Sequence, residues 1–445
     1  MSRYFEENPV ADPADIAHLL RRTEFIARPA RVVELSALTL EAAVDNVLDF
    51  APNANPTVPA WLTVHDPQNG WDQYVGAVNW WLDAMRSRPR PFQEKMTLFW
   101  HGHFTSSWWD GIGRADHMMH QNQLYRTQAL GNFRTLTHAM SLEPAMLVYL
   151  NNADNRMGAP NQNFARELME LFTLGVGNYT EADVEASARA WTGYNADWPN
   201  YQYQFYASRH DTGNKTFFGT PRTWNGPGII DEILRDNATK KLVAARFMVR
   251  KLWDVFAHPG APSTVVDALA TQFLNSDLDV RVLMRALLLR PEFYGVAAKQ
   301  GLVRTPIEWM VALLHQTGLD PDDLGASWVG SRMGQSVFNP PNVAGWKHNA
   351  YWLNTSAMSG RALVARSVTW HLRQNDGFAH LGTLTTSAAV DAVADYFGIA
   401  PLSTATRNAL ISAHQAERNA QAWVSWWAPT NLLTMAMLAP EMHMA

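Results

Sequence analysis

The sequence has 445 residues, with 36 Lys and Arg against 41 Asp and Glu, for a formal net charge of −5. Seven of the cations are Lys and 29 are Arg scattered singly, so no basic stripe is available to neutralise phosphates, and nucleic acid is not expected as a partner. Cysteine is absent, which excludes disulfides, thiolate nucleophiles and iron–sulfur clusters and leaves His, Asp and Glu as the metal ligands on offer.

The start, MSRYFEENPVADPADIAHLL, carries Glu6, Glu7 and Asp12 where an export signal needs a basic stub and an apolar run, so a cytoplasmic protein is expected. From Asp12 to Phe50 apolar residues recur at spacings of three and four, which predicts helices broken at Arg28-Pro29. Residues 51–70 are rich in Pro, Asn and Gly and read as a surface loop. A helix from Trp71 to Arg86 follows, and after Pro89 and Pro91 a second helix carries FQEKMTLFWHGHF. Further helices are predicted at 114–128, 131–150, 161–174, 180–193, 228–257, 263–275, 278–290, 304–317, 357–374, 386–397, 403–418 and 429–438. Thr180-Glu181-Ala182-Asp183 is a plausible helix start, with Thr as cap and acids at the positive end of the helix. The longest apolar run, AMLVYL at 145–150, falls far short of the roughly 18 residues a membrane helix needs, so no membrane partner is expected. The pattern breaks in two places. Residues 194–227 alternate aromatic and polar, which suits a small β-hairpin near 200–220 bending around Gly213-Asn214, and residues 331–356 are irregular. The expected fold is therefore all-α: one continuous helical domain over 1–445 with structured loop insertions at 194–227 and 331–356.

Four clusters carry side chains suited to metal binding or proton transfer. His101 and His103 flank Gly102, and an i, i+2 pair on a helix points to roughly opposite sides. His117 and His120 lie on adjacent turns, where two imidazoles can share one ion. Glu167 and Glu170 share a helix face that is otherwise apolar, a costly arrangement unless a metal, a His or an Arg compensates; Arg166 and Arg189 are the structural partners to expect. Arg209-His210-Asp211-Thr212-Gly213-Asn214-Lys215 suits either an acid–base pair or a turn that bonds its own backbone. Phosphate loops, dinucleotide-binding glycines, His-Glu-x-x-His and the nucleophile elbow are all missing, which argues against nucleotide chemistry and serine hydrolysis.

The order of LGNFRTLTHAM, EPAMLVYLNN, NQNFARELMELFTLGVGNYTEADVEASARAWTGY, HDTGNKTFFG and FNPPNVAGWKHNAYWLNTS resembles the bacterial family called domain of unknown function 1800, from about Ala17 to the C-terminus. The resemblance implies that the marked positions are His103, Asn163, Ala165, Arg166, Glu167, Glu170, His210, Asp211, Gly213, Lys215, Asn339, Pro340, Pro341, Gly345 and Trp346. Gln162, Phe164 and Phe172 stand where relatives commonly carry Glu, Tyr and His. Many relatives are exported, which this N-terminus does not support. No activity comes with the family name.

These residues lead to the expectation of a metal-dependent oxidoreductase acting on a small hydrophobic or aromatic substrate. His101, His103, His117, His120 and Glu167 supply the metal ligands in that scheme, and His210, Asp211 and Lys215 the proton transfers. Iron or copper is the first choice of metal, zinc or manganese the second and haem a weaker one. Trp100, Phe104, Trp108, Trp109, Met118 and Met119 are expected to form an apolar wall. Two alternatives stand beside it: a metal-dependent hydrolase with Glu170 as base, and a non-enzymatic ligand-binding or scaffold protein whose polar clusters are structural. The 19 Trp should divide between such a wall and plain helix packing, with Trp80, Trp81, Trp426 and Trp427 in the second group.

Overall fold

The computed structural model describes residues 10–197, 202–374, 378–420 and 427–445; Glu6, Glu7 and Trp426 lie outside them. Among the described residues the chain is all-α with two small antiparallel two-stranded sheets. Local chemistry explains most helix ends. Thr180 and Asp183 form a reciprocal capping box at the start of Glu181–Ala190, and Thr305 and Glu308 do the same for Pro306–Thr317. The expected helix over 131–150 is two helices, Phe133–Ser141 and Pro144–Tyr149: Pro144 cannot continue the first but suits the first turn of the second, which the Glu143 side chain caps.

Two other predicted helices contain widened turns. The 161–174 stretch runs as Asn163–Glu167 and then loosens over Leu168–Thr173, where the Leu174 N–H reaches back five residues to the Met169 carbonyl at 2.8 Å. The 228–257 stretch begins at Gly226–Asp231, widens over Glu232–Asp236 and restarts as Ala238–Phe256 under an Asn237 cap.

The hairpin expectation holds, but its bend does not fall at Gly213-Asn214. Tyr194–Ala196 pairs with Tyr203–Phe205, and Lys215–Phe217 pairs with Thr220–Arg222 around Phe218-Gly219. Both turn residues have positive φ, 45° and 77°, as a tight two-residue hairpin requires.

Two large hydrophobic cores are packed side by side. The first gathers the helices of 13–48, 133–174 and 226–288; the second gathers Gly70–Ser87, Pro306–Thr317, Thr355–Gln374, Thr386–Tyr396 and Ala428–Met437. The helix Phe92–His103 serves both, sending Phe92, Met96 and Trp100 into the first and Leu98 toward the second. Midway along it Glu94, 0 % exposed, accepts from Arg126 Nε at 2.6 Å, Arg126 Nη2 at 2.8 Å, Arg88 Nη1 at 2.7 Å and Trp81 Nε1 at 3.0 Å. Trp81 belongs to the second core and Arg126 to the neighbouring helix Ala115–Thr127, so one carboxylate ties the seam together.

Candidate functional site

The shared helix ends beside a cavity of about 360 Å³. Leu98, Phe99, Val255, Leu302 and Trp346 supply its apolar wall; Arg22, Lys95, Lys251, His103 and Glu308 supply its polar one. Asp254, Lys347 and His348 are exposed at its mouth.

Lys251, on Ala238–Phe256, donates from Nζ to the Leu171 carbonyl at 3.0 Å and to His103 Nδ1 at 3.1 Å. His103 in turn donates from Nε2 to the Phe172 carbonyl at 3.1 Å, which assigns its proton to Nε2. Both carbonyls lie at the C-terminal end of the widened turn 168–173, where no later helical N–H claims them and the helix dipole is negative. Burial pulls the Lys251 amine down from 10.5 to about 8, and burial with the nearby Lys251 charge keeps the His103 imidazole neutral far below the usual range. The pair is thus a base of near-neutral pKa resting on a neutral imidazole.

Deeper in, Lys95 pairs with Glu308 at 3.2 Å. Glu308 also accepts the Thr305 N–H at 2.9 Å in its capping box. Burial pushes its carboxyl up, but Lys95 and that N–H outweigh the push and hold it below the usual range.

The GWKHN segment of the second insertion forms another wall. Gly345, at φ +76°, lies against the Gly102 carbonyl oxygen so closely that a Cβ would collide with it, and Trp346 packs on His101 with ring centres 5.3 Å apart. Gly345→Ala should therefore cost at least about 2 kcal/mol, from steric overlap plus a left-handed backbone, whereas Gly102→Ala, which meets nothing closer than ordinary contact, should not destabilise. Urea denaturation of the two variants checks this; equal stabilities would contradict the close approach.

The candidate ligand residues are not brought to one point: among the described residues no group of three or more His, Asp or Glu is placed to hold a metal. His101 and His103 face different cores, as their spacing predicts. His101 Nε2 accepts the Phe338 N–H at 3.0 Å, and burial takes its pKa to about 3. His117 is buried beside Asp116, 4.0 Å away, while His120 faces solvent with Nδ1 3.5 Å from Glu143, whose carboxylate raises its pKa. Glu167 sits half-buried near Glu170, which accepts from the Tyr179 hydroxyl. Neither expected Arg partner serves Glu167: Arg166 pairs with Glu181 at 2.7 Å and Arg189 with Asp211 at 2.7 Å.

The His210–Lys215 segment is a stapled turn remote from the cavity lining. His210 Nδ1 bonds the Thr192 carbonyl at 2.8 Å, the Asp211 N–H donates to Thr192 Oγ1 at 2.8 Å, and Lys215 Nζ donates to the Asp211 and Gly213 carbonyls. These contacts pin 210–215 to the end of Glu181–Ala190, which is the backbone-bonding alternative for this motif. Nor do the expected wall residues line the cavity. Trp100 and Phe104 belong to the first core, Trp108, Met118 and Met119 to the second, and Trp109 is exposed.

An all-α body with a charged cavity at the seam of its two cores is thus what fold and site define. The chain belongs to the family described as protein of unknown function DUF1800, whose model matches residues 18–444. No curated protein and no solved structure matches it. The family's signature segments meet the cavity at three places: His103, the 163–174 helix through its terminal carbonyls, and Gly345-Trp346-Lys347-His348-Asn349. Sequence reading missed Lys251, Lys95, Arg22 and Glu308. The available signal was the scarcity of Lys, since two of only seven line this one cavity from within helices.

Proposed function

We propose that the protein is an enzyme acting on a small organic molecule in the seam cavity, with Lys251 as the group that exchanges a proton with it or forms a bond to it. The observation that carries this reading is the Lys251 amine, held by His103 and the Leu171 carbonyl against the cavity wall, with burial favouring its neutral, reactive form. His103 accepts from that amine and keeps it aimed. The apolar wall of Phe99, Leu302 and Trp346 favours a substrate with a hydrophobic body. A metal-dependent oxidoreductase or hydrolase requires the candidate ligands to converge, and His103 already spends both ring nitrogens on other partners. Among the described residues these side chains, as placed, do not fit one metal centre. His210, Asp211 and Lys215 are not part of the cavity lining, and in this reading they act in the turn that pins 210–215.

Treatment with benzaldehyde and cyanoborohydride near pH 8 tests the reading. The amine condenses with the aldehyde, releasing water, and hydride reduces the imine to a stable benzyl-lysine. Peptide mapping should find the label at Lys251 well ahead of the other lysines, and Lys251→Met should abolish the fast phase. Labelling spread over the lysines in proportion to their exposure would contradict the proposal and favour a scaffold role.

A further inference from the structure

The inner end of the cavity holds more positive charge than the protein neutralises. Arg22, Lys95, Arg304 and Arg361 are all buried, at 1 %, 5 %, 2 % and 0 % exposure. Among the described residues Glu308 is the carboxylate whose field reaches all four. Lys95 takes Glu308 directly, at 3.2 Å. Arg304 and Arg361 are not part of the cavity lining; Arg304 Nη1 donates to the Met442 carbonyl at 2.6 Å, Arg361 Nη2 to the Arg304 carbonyl at 2.7 Å and Arg361 Nη1 to His443 Nδ1 at 2.7 Å, while the Nε of each is buried without a partner.

Arg22 differs. It lines the cavity, its Nη2 donates to the Ala257 carbonyl at 3.0 Å and to that of Ala298, and its Nε and Nη1 have no partner. A guanidinium removed from water with donors unmet costs several kcal/mol unless an anion arrives to use them.

We propose that the inner end of the cavity is a subsite for a carboxylate of the bound molecule, held by Arg22 with Lys95 beside it. A monoanion matches Arg22, the guanidinium that lines the cavity without a carboxylate partner. A phosphate dianion would bring its second charge against Glu308, which already occupies Lys95. Combined with the apolar wall, the subsite selects a small carboxylic acid with a hydrophobic or aromatic body. This rests on the reading of the cavity as a substrate site, and it names the substrate class.

Benzoate and benzamide, alike in shape and differing in charge, are the probes. In the wild-type protein benzoate should bind about tenfold or more tightly than benzamide, as a charge-assisted bond requires, whether followed by thermal stabilisation or by protection of Lys251 from benzaldehyde. Arg22→Gln should erase the difference, and Arg22→Lys, which keeps the charge, should retain part of it. The wild-type comparison stands even if Arg22→Gln fails to fold. Equal affinities for benzoate and benzamide, or stronger stabilisation by inorganic phosphate than by benzoate, would overturn the subsite. Failure of Lys251 to label while benzoate still stabilises selectively would overturn the enzymatic reading alone.

Discussion

Between pH 6.5 and 4.5 the protein is expected to lose on the order of 10 kcal/mol of folding stability, enough to unfold it within that interval. Four buried imidazoles are responsible. Burial, reinforced by Arg21 and Arg22, brings His18 down to about 3. Burial alone does the same for His101, burial with Arg361 and Arg304 for His443, and burial with Lys251 holds His103 well below its ordinary value. In the unfolded chain each takes up a proton near 6.5, so below that pH the unfolded state binds more protons and stability falls as pH falls, until the folded values are reached, near 3 for His18, His101 and His443. Two pH units into this window each of those three has cost about 2.7 kcal/mol, and His103 adds in the same direction. Two of them show why protonation in place is costly: with Nε2 donating to the Phe293 carbonyl, the nitrogen of His18 left to take a proton is Nδ1, which is buried without a partner, and His443 Nδ1 accepts from Arg361 at 2.7 Å. Urea denaturation followed by Trp fluorescence at pH 7, 6 and 5 reads the slope directly. A stability that stays flat from 6.5 to 5 would mean that these rings are not held neutral.

The largest single-residue effect is expected at Glu94. Glu94→Gln keeps the shape but withdraws the charge that Arg88 and Arg126 share, leaving two guanidiniums buried without a counter-ion at the seam. Breaking such a pair from one side costs about 3–5 kcal/mol. Burial alone would push the Glu94 carboxyl up; Arg126 and Arg88, together with the Trp81 N–H, overcome that and hold it below the usual range, so the charged form is the one the fold is built on. Calorimetry should show a clearly lower melting temperature for Glu94→Gln. A loss under about 1 kcal/mol would show that the two arginines find other partners.

The helices were largely legible because their signals are local. Apolar spacing of three and four and Thr180 with Asp183 act within one or two turns, and the structure uses them as the sequence implies. The widened turns were not legible: a hydrogen bond to the fifth preceding carbonyl needs no particular residue, so nothing in LMELFT marks it. The same turn explains why Glu167 and Glu170 attracted attention while the contribution of their helix to the site is two backbone carbonyls. The site itself was only partly legible, because Arg22, Lys95, Lys251 and Glu308 come from four helices, and packing across hundreds of residues leaves no trace in local spacing. Glu308 also caps its own helix, a role that accounts for the residue type without calling on the cavity. His103 was found because a His beside aromatic residues at a helix end is conspicuous; in the structure its Nδ1 accepts from the Lys251 amine.

The position of the cavity between the two cores has an energetic meaning. An empty space of about 360 Å³ within either apolar core would cost roughly 9 kcal/mol in lost packing, comparable to the whole stability of an ordinary domain. At the junction each core closes on itself, and the space left over has charged walls and an open mouth through which solvent or a ligand can fill it. Two smaller cores that meet along shared helices therefore let the protein keep a large chamber without weakening either half.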